Sequence, residues 1–455
     1  MLDGGRALLG GHPTRLLRLT PRARALLSGR ALTVRNAAGA VLAERLLDTG
    51  LAHPELAALP NVEAACTYVI PVRDRPQQLA RLLSCIPAGS PVVVVDDASR
   101  DPEVIASVTA EHGARLLLLR ENRGPASARN AGLREVTTPY VCFVDSDIVL
   151  PGETVPALLR HFADPSVAMA VPRITALDAA GAGGWISRYE DTRSSLDLGA
   201  RPAAVRPGTP VSWVPSACVV ARTDVLIRAG GFDETLRVGE DVDLCWRFID
   251  GGRRIRYEPS LHAAHEHRAR FTDWFRRKAE YGTGAHPLAV RHPVAIAPAV
   301  LAPWSAGLLV ALALQRRWSI PVAGALGAIT TVRIARTLGN TGQPVLQAVR
   351  LTTVGAVSAL AQGGALATRH WWPLTAAGCL VSSRVRRVAA AAAVWDVALE
   401  YRRRTTGLDP VRYAAARRLD DLAYGSGVWW SAIKGGSTAA LRPRIVTGTS
   451  RKPSP

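Results

Sequence analysis

Two carboxylates, Asp145 and Asp147, flank Ser146 directly after the apolar run Tyr140–Val144. Hard oxygen donors at i and i+2 can hold Mg2+ or Mn2+, ions that bridge to substrate phosphates and offset charge on a departing diphosphate. A solvated turn of the same composition does no chemistry. A second acidic pair, Asp96-Asp97, ends the apolar run 91–97. An acid there can accept hydrogen bonds from a base N–H or a ribose hydroxyl, or it can cap a helix starting near Asp101. Upstream stands Ile70-Pro71-Val72-Arg73-Asp74-Arg75, where a proline at a strand end turns the backbone towards such a base. Small residues in 122–132 allow close approach at a helix start that favours phosphate, and Arg129 offers a fork of donors for phosphate or an acid.

A third acidic group lies in Gly239-Glu240-Asp241-Val242-Asp243-Leu244-Cys245-Trp246-Arg247, shortly after Gly230-Gly231-Phe232-Asp233-Glu234. Glu240 and Asp241 fall at a helix start, where N–H groups stabilise anions, and a carboxylate there can take a proton from an attacking hydroxyl. Paired acids at that position also serve as plain caps. Arg247 can bridge Asp243 across one helical turn. Finally, His262, His265 and His267 follow Tyr257-Glu258-Pro259. One of them can complete a metal shell with the acids. Zinc is disfavoured because a fourth ligand and the usual spacing are missing.

These residues need a scaffold that gathers strand ends. Cys66–Val72, 91–97, 116–119 and Tyr140–Val144 are buried strands by pattern, with helices over 77–85 and 125–134 between them. Continuous apolar runs of that length fit parallel strands covered on both faces. The alternation predicts an α/β domain, and ligands bind such sheets outside the C-terminal ends of the strands.

The flanks differ. Residues 1–62 carry short segments with turn signals, a Thr20-Pro21 helix start, a second helix at about 40–50, and a linker at Pro54 and Pro60. Residues 294–315 hold no charge, and a helix of that length is about 33 Å long, enough for a hydrocarbon core of roughly 30 Å. Residues 351–368 are a weaker candidate, and the other apolar runs are short. Arginines punctuate every gap, so the positive-inside rule sets no orientation. The domains expected are 1–62, a small α+β module; 63–285, the catalytic domain; 286–400, a hydrophobic helical membrane-associated region; and 401–455, a basic tail disordered over 442–455.

The chain has 455 residues and a formal net charge of +19, nearly all from arginine. That balance suits an anionic membrane, a phosphorylated small molecule or nucleic acid, unless it reflects only an arginine-for-lysine bias. No helix-turn-helix, RRM or zinc signature supports nucleic acid. No Gly-x-Gly-x-x-Gly follows the first strand, which disfavours a nicotinamide enzyme. The six cysteines form no CxxC pair, so a disulfide framework is not expected and the catalytic part is placed in a reducing compartment. The N-terminus has no signal-peptide h-region.

The order of these motifs within about 200 residues resembles family 2 nucleotide-sugar glycosyltransferases of the GT-A fold. The flanking runs GGHPTRLLRLTP, TYVIPVRDR, RSSLDLG, VPSACVV, GEDVDLCWR, HEHR and RLDDLAYG are similar to the mycofactocin-system glycosyltransferases, across nearly the whole chain. The resemblance implies a GT-A (Rossmann-like) domain and an inverting, metal-dependent hexosyltransferase with its catalytic domain in the cytoplasm. It implies a UDP-glucose donor and premycofactocin, a peptide-derived redox cofactor, as acceptor, with repeated transfer building a short β-glucan. Asp97 then matches the uracil-binding acid with Pro71 and Arg73 beside it, Arg129 matches the arginine that supports the diphosphate or its acids, and Asp145 belongs to the nucleotide-sugar site as the first acid of the metal-binding DxD, in which Asp147 is the surer ligand. Asp147 and His265 match metal ligands, with His267 as runner-up. Asp241 matches the general base, supported by Glu240, Asp243 and Arg247. Residues 1–62 look distantly like peptide-recognition modules. The alternative acceptor is a cell-wall or lipid-linked glycan.

Overall fold

The structure, a computed structural model, describes residues 1, 3–12, 14–177, 184–267, 270–339, 341–402 and 407–447. Two compact units form. One comprises Gly10–Arg15 and Ala31–Ala269; the other comprises Met1–Leu9, Leu16–Arg30 and Arg270–Pro455. Packing therefore divides the chain differently from composition. Residues 1–62 are shared between the units, and the division expected after residue 285 falls at 269/270.

The first unit is built on a mixed sheet. Its long strands are β1 (Cys66–Val72), β2 (Val92–Asp96), β3 (Arg115–Leu118), β4 (Tyr140–Val144), β5 (Val167–Ala176), β6 (Cys218–Arg222) and β7 (Arg254–His265). Their order across the sheet is β3-β2-β1-β4-β6-β5-β7, with Ala203–Ala204 beyond β7 and Ile148–Val149 also paired to β7. Strands β1, β2, β3 and β4 pair in parallel, and so do β5 and β7. The exception is β6, antiparallel to both β4 and β5. Every residue of β4 is buried, as is the Cys66–Ile70 stretch of β1, which is why those runs lack polar alternation.

The connecting helices are α1 (Pro76–Leu83), α2 (Pro102–Glu111), α3 (Pro125–Leu133) and, later, α4 (Glu240–Asp250). The first three each begin with proline in the first turn, where a missing N–H costs nothing. Asp101 caps α2 by accepting from Val104 N at 3.4 Å, so the α2 cap is neither Asp96 nor Asp97. Helix α3 is buried from Ala126 through Leu133, arginine and asparagine included. It lies close on the sheet because Gly132 has no side chain: a Cβ there would stand 2.3 Å from Val69 Cγ1. The helix Ala37–Thr49 also belongs to this unit, where Asp48 meets Arg254 at 2.9 Å.

The second unit is helical. Thr20 caps a short N-terminal helix as expected. The larger part holds α5 (Phe271–Thr283), α6 (Pro303–Leu314), α7 (Ser319–Thr337), α8 (Pro344–Ala365, prolonged by a wide turn to His370), α9 (Trp372–Val381), α10 (Ser383–Tyr401) and α11 (Pro410–Lys434). The uncharged run 294–315 is not one helix. Pro303 opens α6, and Val300–Leu301 pairs as a short strand with Arg444–Ile445. Its helical part, at about 18 Å, is short for a bilayer. Among the described residues one helix is long and apolar enough to cross a membrane, Pro344–His370, which contains the run 351–368. The expected basic tail is mostly the helix α11, whose inward face is buried, and 444–445 is paired. The rest of the expected disordered end, 448–455, lies outside the described residues.

Substituting Gly132→Ala should destabilise the protein by about 1–3 kcal/mol through overpacking against β1. Chemical denaturation, with the fall in midpoint read at unchanged slope, checks it.

Candidate functional site

Arg129 is the centre of the site. Its guanidinium is 3% exposed, donates to Asp145 Oδ1 at 2.6 Å and to Glu240 Oε1 at 3.1 Å, and lies 5.4 Å from the Phe232 ring centroid. Burial alone would favour its neutral form, but Asp145 and Glu240 outweigh that and hold the cation. The two acids come from distant elements, the turn after β4 and the first residue of α4. One side chain thereby joins the acid pair around Ser146 to the pair Glu240-Asp241.

The next residue of α3 secures the same region. Asn130 Nδ2 donates to Phe232 O at 2.8 Å and to Glu234 Oε1 at 3.0 Å, and Asn130 Oδ1 accepts from Phe232 N at 2.9 Å. Ser127 Oγ donates to Glu234 Oε2 at 2.7 Å. Gly231 has φ +67°, and a Cβ there would lie 2.5 Å from Asn130 Oδ1, so glycine is required twice over. Arg247 reaches the same loop from α4: its Nε donates to Asp243 at 2.7 Å, and its two terminal nitrogens donate to Ala229 O and Gly231 O, each at 2.6 Å. Arg247 and Asp243 thus hold the loop to the helix, and Asp243 is used up in that bridge.

Asp241 stands beside Glu240, half-buried, with Oδ1 accepting from Val242 N at 2.8 Å. Burial, then the negative charge of Glu240, push its carboxyl up to about 7. An acid poised there can take a proton at neutral pH without being permanently protonated.

Asp147 is buried on the other branch of the turn. Its Oδ2 pairs with Arg75 and lies 3.6 Å from His265 Nε2. Burial would raise its carboxyl, yet His265 and Arg75 hold it well below the usual carboxylate range. Among the described residues no three His, Cys, Asp or Glu side chains converge as a metal cage. One carboxylate and one imidazole do converge, and that donor set fits a cation completed by substrate phosphate oxygens and water. His267 turns away: its Nε2 lies 2.8 Å from Ser187 Oγ and 3.4 Å from Asp191 Oδ1. The three histidines therefore do not gather on one ion.

Asp97 lies at the end of β2. Its Oδ1 accepts from Arg123 N at 2.8 Å and its Oδ2 from Gly124 N at 2.9 Å. It shapes the turn that launches α3, and its remaining lone pairs are what it could offer a base. Pro71 is half-buried in β1, and Arg73 is exposed next to Asp74. Two non-glycine residues at neighbouring strand ends have positive φ, Asp74 at 55° and Ala98 at 57°. Such backbone costs about 1–3 kcal/mol per residue and clusters at ligand sites. Sequence reasoning assigned no role to Arg75, Ser127, Asn130, Glu234 or Glu266, the last held by Gln78 and Arg81. Their partners lie far along the chain, so no local spacing signals them.

The family model for glycosyl transferase family 2 matches residues 67–206, and that for glycosyl transferase family group 2 matches 140–368. The chain is 43% identical to a pre-mycofactocin glycosyltransferase of Mycobacterium tuberculosis over 98% of its own length and 96% of that protein's. It is 31% identical to the succinoglycan biosynthesis protein ExoU of Rhizobium meliloti over 41% of its length and 58% of that protein's. A mannosyltransferase from Pyrobaculum calidifontis, solved with GDP-Man and Mn2+, is similar with a TM-score of 0.48 and 18% identity, covering 86% of this chain and 94% of that one.

Two outcomes test this geometry. Arg129→Met should cost about 3–5 kcal/mol, because it strands two acids around an apolar side chain; urea unfolding measures it. Because the Asp241 carboxyl is raised on folding, its contribution to stability is full at low pH and is lost as pH rises through about 7. Asp241→Asn should therefore match the parent near pH 4 and exceed it, by about 1–3 kcal/mol, at pH 8 in a melting series.

Proposed function

The chain belongs to glycosyltransferase family 2, among the pre-mycofactocin glycosyltransferases, with a GT-A fold, and from this premise we propose that it transfers glucose from UDP-glucose to premycofactocin with inversion, and repeats the step to build a short β-glucan. The observation that carries the reading is the Arg129 bridge, which ties the Asp145 turn to the Glu240-Asp241 helix start.

In this reading the donor lies outside the C-terminal ends of β1, β2 and β4. Pro71, Arg73 and Asp97 border the uridine, and Arg129 with Asp145 borders the diphosphate. Asp147 and His265 would hold Mg2+ or Mn2+, which when bound would supply charge compensation for the diphosphate. Asp241 accepts the proton of the attacking acceptor hydroxyl. The hydroxyl oxygen bonds to the anomeric carbon as the bond to the UDP oxygen breaks. A single displacement on an α-linked donor leaves a β-linkage. Glu240 keeps Asp241 basic enough by its charge and is itself neutralised by Arg129.

Membrane association is part of the proposal. No Asp or Glu occurs between Glu280 and Asp396, and arginine supplies all the formal charge there. In the same stretch Ile320, Val354, Leu380 and Val381 are exposed at 77%, 67%, 84% and 87%. Apolar faces fringed by arginine suit an anionic lipid surface. The catalytic unit is assigned to the cytoplasmic side, where UDP-sugars and free thiols are found.

Purified protein in detergent, given UDP-glucose, Mn2+ or Mg2+ and premycofactocin, should add successive hexose masses, and EDTA should abolish this. Donor hydrolysis without transfer would keep the enzyme class and turn attention to a lipid-linked or cell-wall glycan acceptor. Asp241→Asn should lower kcat by about 10²–10⁴-fold while sparing UDP affinity. The parent rate should rise with pH through about 7, following the Asp241 carboxylate.

A further inference from the structure

Arg75 sits where a cation would be expected. It follows Asp74, whose backbone is held in its left-handed conformation from the neighbouring loop: Asp74 N donates to Ser99 Oγ at 2.9 Å, and Asp74 Oδ1 accepts from Arg100 N at 2.8 Å. The locked turn aims Arg75 at Asp147, and its guanidinium pairs with Oδ2, the same oxygen that faces His265 Nε2. A guanidinium and a divalent cation cannot share one carboxylate oxygen without strong repulsion at such range.

Arg75 also differs from the structural arginine of the site. Arg129 is buried and joins two acids, whereas the Arg75 side chain is 33% exposed and pairs with Asp147 alone among the described residues. One partner and one open side leave it free to swing. A planar fork of donors released from a carboxylate is suited to the nearest other anion, a diphosphate.

We propose that Arg75 is the resident counter-ion of Asp147 in the donor-free enzyme, displaced when nucleotide and divalent cation enter together and then paired with the diphosphate. The idea rests on the reading of Asp147 and His265 as a metal site. Metal alone must compete with Arg75 and binds weakly. UDP draws Arg75 away and frees the carboxylate, so each ligand strengthens the other. Arg75 is a ligand-binding residue in this scheme, and its signature is the coupling between two ligands rather than the rate.

The experiment is a Mn2+ titration of the full chain in detergent, followed by the EPR signal of free Mn2+, with and without UDP. The parent should bind Mn2+ at least about tenfold more tightly with UDP, within the usual range of coupling. Arg75→Gln should tighten Mn2+ alone by about fivefold or more, weaken UDP in the presence of Mn2+, and so shrink the coupling. Arg75→Lys, which keeps a charge but not the fork, should fall between. Mn2+ affinity without UDP that is unchanged or weaker in both variants overturns the proposal and leaves the metal site standing. A parent that binds no Mn2+ even with UDP overturns the metal site and the proposal together. Melting curves of both variants confirm the fold.

Discussion

A buried arginine charge is tolerated only when its neighbours compensate it, and Arg129 makes that constraint visible. Removing a guanidinium from water costs several kcal/mol, and the cost is recovered only with close, well-directed anions. Asp145 and Glu240 are those anions, supplied by a strand end and a helix start that lie 95 residues apart in number. Because both must reach the same guanidinium, the turn after β4 and the start of α4 are held in one geometry. Asn130, one residue on, fixes the loop before α4 with three hydrogen bonds to Phe232 and Glu234. A single helix, buried from Ala126 through Leu133, thus aligns the elements that carry the acids.

That alignment also sets the electrostatics. Glu240 is neutralised by Arg129, yet its charge still raises Asp241. Asp147, only two residues from Asp145, is pulled the opposite way by His265 and Arg75. The two carboxyls are thus pushed in opposite directions by their different neighbours. Ala217, the residue before the antiparallel strand β6, contributes its carbonyl, which accepts from Asp145 N at 2.9 Å.

The helical unit follows a different logic. Its interior is partly ionic: Asp421 is fully buried and accepts from Arg369 at 3.2 Å and from Arg417, while Arg369 stacks 3.9 Å from the Tyr424 ring centroid. The run RLDDLAYG, legible as a motif but without a role, is this lock between α11 and the end of α8. The apolar side chains that an ordinary core would absorb are instead displayed outside. Ile320, Val354, Leu380 and Val381 are exposed on this unit while Asp421 is buried within it.

Strand and helix positions around the cleft were legible because apolar runs and prolines act locally. Strands β1 and β4 lie at the ends their apolar runs predict, and β2, β3 and α3 to within a residue. The acids were legible because strand ends and helix starts have local signatures. The spanning candidate at 294–315 was misplaced because absence of charge says nothing of where a proline or a strand pairing interrupts a helix. Residues 1–62 are divided between the two units, which composition does not carry because packing partners are not adjacent in sequence.

Sequence alone determined which residue types were present and at which ends of which elements they stood. Tertiary structure decided which of them meet. It gave Asp147 the partners His265 and Arg75, turned His267 to Ser187 instead, spent Asp243 on Arg247, and engaged both oxygens of Asp97 with backbone amides. The reason is physical: propensity and patterning act over a few residues, whereas ion pairing and side-chain hydrogen bonding act over a few ångströms, and only the folded chain converts one scale into the other.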